Sequence, residues 1–169
     1  MTQSLEIPLA RPVRPPLFGQ SLPIGTLARV AVALVAAGCL AVLVVAAWLP
    51  PDPRGYGSHE AIFGAWPCGI LLTTGLPCPT CGMTTAFSLV MHGRPLAAFV
   101  AQPAGVALCM GTIAAMVYSL HLAVRGRLIQ VNWDRIGPAR FSIGLALLLV
   151  LGWAFKLAHG LATGAYPVR

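Results

Sequence analysis

The stretch Ala61-Ile-Phe-Gly-Ala-Trp-Pro-Cys-Gly-Ile-Leu-Leu-Thr-Thr-Gly-Leu-Pro-Cys-Pro-Thr-Cys-Gly-Met-Thr-Thr-Ala-Phe-Ser-Leu-Val-Met91 lies between the charges of Glu60 and Arg94 and has none of its own. Two bilayer crossings need about 20 apolar residues each, so it is too short for two. Pro67, Pro77 and Pro79 with Gly64, Gly69, Gly75 and Gly82 make it a poor single helix. It holds Cys68, Cys78 and Cys81, three of the chain's five cysteines. A segment this apolar and this broken is expected to be a re-entrant or interfacial element packed among membrane helices, because irregular backbone survives at that depth only when covered by protein or water.

The flanks supply those helices. Val30 to Leu49 is an uncharged run, preceded by Arg29 and stopped by Pro50-Pro51-Asp52-Pro53. It is long enough to cross, and longer than a signal-peptide core, so it reads as an uncleaved helix. On the other side, Gly93 suits a helix C-cap and Pro95 a helix start. Leu96 to Val124 is uncharged, with a kink expected at Gln102-Pro103, so an entry segment precedes a crossing over about 104–124. A third crossing is expected over about 141–161. Lys156 within it is expected to snorkel to the far interface, with a functional intramembrane lysine as the open alternative. With the first at about 29–49, the fold class is an all-α membrane protein of about three transmembrane helices, the cysteine element (61–92) lying between the first two. Residues 1–28, with five prolines, read as a disordered or loosely docked cytoplasmic tail, 29–161 as a single membrane domain and 162–169 as a short tail.

Composition agrees. Hydrophobic residues make up 57% of the 169-residue chain and charged ones 9%, against roughly a quarter charged in soluble domains. The formal net charge of +7 comes from eleven basic and four acidic residues. The arginines flank apolar runs and are not interleaved with aromatics, so they read as topology signals and headgroup contacts rather than a nucleic-acid surface. Arg11, Arg14 and Arg29 precede the first run, and Arg125, Arg127, Arg135 and Arg140 follow the second. The intervening segment has only Arg54 and Arg94. Positive residues favour the cytoplasmic side. The expected topology is therefore N-terminus in and C-terminus out, with the cysteine element at the exterior side of a bacterial inner membrane.

Cys78-Pro79-Thr80-Cys81-Gly82 has the form of a metal knuckle, two thiolates on one tight turn. It supplies half of a tetrahedral site. Cys68 and His59 are the expected completing ligands for zinc or a similar metal, with His59 preferred to His92. Two other readings stay open. A Cys-x-x-Cys at a helix N-terminus is also the form of a thiol–disulfide oxidoreductase using Cys78 and Cys81, with Cys68 as a resolving partner. The stretch could equally be structural only, its freed backbone groups satisfied by Thr73, Thr74, Thr84 and Thr85. Cys39 and Cys109 sit in apolar runs and read as small buried hydrophobes. Asp52, Glu60 and Asp134 share no apolar site, and there is no phosphate loop or nucleophile motif, so no catalytic residue is assigned.

The run Gly75 to Phe87, followed by His92-Gly93-Arg94 and Gln102-Pro103, resembles a family of small bacterial membrane proteins of unknown function marked by Cys-Pro-x-Cys-Gly-x-Thr-Arg. The similarity covers about residues 55–125. Gly55-Tyr-Gly-Ser-His59 and Pro67-Cys68 resemble the version in planctomycete-type bacteria. Thr85 stands where that family has arginine, and Gln102 where it usually has asparagine. The resemblance implies no reaction. The expected function is that of a non-enzymatic membrane protein, embedded in the lipid bilayer, acting as a subunit or adaptor of a larger membrane complex or as a homo-oligomer.

Overall fold

A computed structural model describes residues 18–58, 60–63, 68–131 and 137–164. The elements run β1 (Phe18–Pro23), α1 (Thr26–Trp48), α2 (Glu60–Phe63), α3 (Gly69–Thr74), α4 (Met83–Met91), α5 (Pro95–Ala101), α6 (Pro103–Arg125), β2 (Arg127–Val131) and α7 (Pro138–Ala162). Helices α1, α6 and α7 are long and apolar enough to cross a membrane. At 1.5 Å per residue, α1 and α6 each extend about 34 Å, more than the roughly 30 Å hydrocarbon layer. The architecture is that of an all-α, multi-pass membrane protein.

Few side chains are buried in these helices. Only Ala36, Leu43 and Ala46 are buried in α1, and Gly152, Lys156 and Gly160 in α7. Leu34, Val44, Leu147 and Leu151 are among many apolar side chains pointing outward. Lipid is the environment that such faces fit.

Small residues set the packing. Ala86, Leu89, Ala98 and Ala101 form a buried cluster between α4 and α5, with Val90, Ala97 and Val106 against it. A Cβ at Gly105 would lie 2.7 Å from the Ala86 Cβ, so α4 rests directly on the α6 backbone. Pro103 opens α6 at the first turn, where its missing N–H costs no bond.

At the other end, α1 and α6 are fastened together. Arg29 donates from Nε and Nη2 to the Ala123 carbonyl (3.1 and 2.9 Å) and from Nη2 to that of Val124. Its positive charge faces the negative C-terminal end of α6. The structure thus gives this arginine a packing role beyond topology. From Phe18 onward the chain pairs antiparallel with β2 (Leu22 opposite Leu128, Pro23 opposite Arg127), which docks the last part of the proline-rich stretch. Residues 1–17 lie outside the described residues.

The segment between α1 and α6 turns back into the helix bundle. Met83, Thr84 and Phe87 of α4 face Ala41, Val42, Val45 and Ala46 of α1 across a shallow apolar cleft. The Trp153 indole N–H of α7 donates to the Pro77 carbonyl at 2.9 Å. Trp153 lies nine residues before the end of α7, about 14 Å along the axis. The element therefore reaches well below the helix ends.

Candidate metal centre

Three short pieces bring the cysteines together. Cys68 precedes α3, which ends at Gly75 in the left-handed conformation (φ 74°). The chain then reverses through Pro77 to the knuckle, where the Cys81 N–H donates to the Cys78 carbonyl at 3.0 Å. Gly82 follows at φ 87° and opens α4. The sulfurs of Cys68, Cys78 and Cys81 all lie within 4.8 Å of one another. Tetrahedral zinc with Zn–S bonds of about 2.3 Å needs sulfurs about 3.8 Å apart, so the triad fits the ion with only small side-chain adjustments. Cys78 and Cys81 sulfurs are 3.1 Å apart, and the Thr80 hydroxyl lies 3.3 Å from the Cys78 sulfur.

Burial pushes the Cys78 thiol up, but hydrogen bonds with Thr80, Cys81 and Cys68 outweigh it and hold the thiol below its ordinary range. Burial pushes Cys81 up, and its contacts with Cys78 and Cys68 add to that. The two sulfurs of the knuckle are thus unequal, Cys78 being the easier to ionise.

The backbone of the knuckle is held from outside it. Trp153 donates to the Pro77 carbonyl, Gln102 Nε2 to that of Pro79 at 3.0 Å and Lys156 Nζ to that of Cys81 at 2.7 Å. Three alternate carbonyls are satisfied by three side chains of α6's N-cap and α7. Lys156 is 3% exposed, also reaches the Gly55 carbonyl at 3.4 Å, and lies 5.8 Å from the Tyr56 ring centroid. It does not snorkel. The Cys81 and Gly55 carbonyls draw the ammonium inward. Of the threonines expected to satisfy freed backbone groups, Thr73 and Thr74 bond to carbonyls of their own helix, α3, Thr74 also accepts the Leu76 N–H at 3.2 Å, and Thr85 accepts that of Ser58.

Thr85 fastens the preceding loop. Its hydroxyl donates to Ser58 Oγ at 3.0 Å and accepts the Ser58 N–H at 3.4 Å, all buried. Ser58 Oγ also accepts the Asp52 N–H. Arg54 binds both Asp52 and Glu60, and its hydrogen bonds hold the Asp52 carboxyl below the usual carboxylate range. Thr85 is fully buried, so the position where the resembled family has arginine serves here as an internal tie. Replacing it by valine, of like shape, leaves the buried Ser58 N–H unpaired and Ser58 Oγ with only the Asp52 N–H. We expect a loss of about 1–3 kcal/mol, read as a melting temperature about 5 °C lower in detergent.

Of the four expected ligands, the structure brings together Cys68, Cys78 and Cys81; His59 lies outside the described residues. His92 is not in the cluster, its Nδ1 lying 2.8 Å from the Ser88 carbonyl oxygen of its own helix. Cys109 is fully buried in α6, whereas Cys39 in α1 is only half-buried. Gln102, Trp153 and Lys156 are the site residues that the sequence reading missed. A lysine and a tryptophan inside an apolar run were the available signal.

The family model described as "Protein of unknown function (DUF2752)" matches residues 68–116. Those residues form a DUF2752 domain. Its span lies within the region of resemblance and holds all three sulfurs and Gln102, while Ser58, Trp153 and Lys156 fall outside it. No curated protein and no solved structure matches the chain.

Proposed function

We propose that this is a non-enzymatic integral membrane protein whose Cys68, Cys78 and Cys81, completed by His59, bind a structural metal such as zinc. The observation that carries this reading is the convergence of three sulfurs, two from the knuckle and one from ahead of α3, within 4.8 Å. His59 follows Ser58, which is held at Thr85, one helical turn beyond Cys81. Three thiolates and an imidazole would leave zinc with net negative charge, and the Lys156 ammonium under Cys81 offsets it. The metal would lock the re-entrant element against α6 and α7, presenting a fixed surface to other subunits of a membrane complex or to a second copy. The arginine distribution supports an N-terminus on the cytoplasmic side of a bacterial inner membrane, with the metal at the exterior side.

A membrane thiol–disulfide oxidoreductase is the second reading, favoured by the 3.1 Å approach of the Cys78 and Cys81 sulfurs. Cys39 in α1 and Cys109 in α6 are not part of that cluster of sulfurs.

Chelation separates the two. A strong zinc chelator should lower the melting temperature of the detergent-purified protein by about 5 °C or more and render its thiols titratable. An unchanged melt, with a Cys78–Cys81 bond that opens and closes in a glutathione buffer, would favour the oxidoreductase.

A further inference from the structure

Two hollows adjoin on the outer surface of α5 and α7, and their linings differ sharply. The first, about 470 Å³, lies among the ends of the membrane helices and is lined by Arg54, Arg94, Lys156 and His159, with Asp52 as its carboxylate. Asp52 and Glu60 are both engaged by Arg54. Among the described residues no carboxylate pairs with Arg94 or Lys156, so the hollow carries excess positive charge. The second, about 410 Å³, is a groove lined by Phe99, Pro103, Val106, Leu148, Leu151 and Phe155, without a charged side chain.

The two meet along a row of rings. Phe99 and Phe155, both in the groove, have ring centroids 5.7 Å apart, and Phe155 stacks on His159, which faces the cationic hollow, at 6.1 Å. Leu148 lies eight residues before Lys156, so the groove descends about 12 Å from the cationic level towards the middle of α7. A cationic pocket at the helix ends that opens onto an apolar groove running inward matches one ligand chemistry, an acyl chain joined to an anionic phosphate. Both volumes fall within the range of about 300–1,000 Å³ usual for small-molecule sites.

We propose that this surface binds an anionic glycerophospholipid, its phosphate between Arg94, His159 and Lys156 and part of one acyl chain along the Phe99–Leu151 groove. The site needs no metal, although Lys156 also borders the cysteine cluster. Arg94 is the residue to change, because it is exposed, pairs with no carboxylate among the described residues and caps only the short α5.

The test is thermal protection of the detergent-purified full chain by added phosphatidylglycerol against phosphatidylcholine with matched acyl chains. Wild type should be half-protected at about tenfold lower phosphatidylglycerol than phosphatidylcholine. Arg94→Glu should remove that preference, while Arg140→Glu, at the opposite end of α7, should keep it, since one basic residue contributes about fivefold in anionic-lipid binding and the reversal to glutamate changes two charges. Equal protection by the two lipids in wild type would overturn the proposal, and needs no variant to fold. Equal protection by inorganic phosphate at the same concentration would overturn it in favour of a free-anion site. Equal loss in Arg94→Glu and Arg140→Glu would overturn it in favour of general surface charge.

Discussion

Gly82→Ala is expected to disrupt the protein more than any other single methyl group. Gly82 has φ 87°, where an L side chain costs about 1–2 kcal/mol. The added Cβ would also collide with Lys156 Nζ and lie 2.6 Å from the Gly55 carbonyl oxygen and 3.3 Å from that of Ala101. Overpacking of this kind costs a further 1–3 kcal/mol or so. Neither carbonyl can retreat easily, because Gly55 belongs to the loop tied at Ser58 and Ala101 sits in the small-residue cluster. The lysine cannot swing away without leaving the Cys81 carbonyl unpaired. A melting temperature lower by about 10 °C, or failure to accumulate, should result. Gly111→Ala is the control: nothing lies within 4 Å of the new Cβ, and alanine favours helix by about 1 kcal/mol over glycine, so its melt should be unchanged or raised.

Loss of any one sulfur should have the second large effect. With Cys68→Ser, Cys78→Ser or Cys81→Ser, a soft donor becomes a hard hydroxyl that zinc accepts poorly. Structural zinc contributes about 10–16 kcal/mol of apparent binding free energy in small peptides, so each variant should lose most of its bound metal at micromolar protein. Cys39→Ser, remote in α1, should keep it. The comparison matters because a disulfide reading predicts a different pattern. Under that reading the Cys78–Cys81 disulfide still forms in Cys68→Ser, and no variant changes a bound metal.

The three crossings were legible because long uncharged runs have few other uses, and the kink at Pro103 followed from its missing N–H. Helix ends were less legible. Apolarity does not mark where backbone bonding stops, so α1 begins at Thr26, ahead of Arg29, whose side chain turned out to cap α6. The β1–β2 ribbon joins a proline-rich stretch to a segment some hundred positions later, with no alternation to announce it. The cysteine triad was readable from Cys-x-x-Cys and a third cysteine nearby. What holds it was not: Gln102, Trp153 and Lys156 bond to carbonyls 23 to 76 positions away. Backbone acceptors leave no residue-type signature. Lys156 misled for a physical reason, since a lysine near a helix end ordinarily reaches water, and here freed carbonyls lay closer.

The most direct test is metal and free-thiol content per chain on detergent-purified wild type beside Cys78→Ser/Cys81→Ser. About one zinc per wild-type chain, with Cys68, Cys78 and Cys81 protected from thiol reagents until chelation, and no zinc in the double variant, is the predicted result. A metal-free wild type whose Cys78 and Cys81 react freely, or are joined in a disulfide, would contradict it.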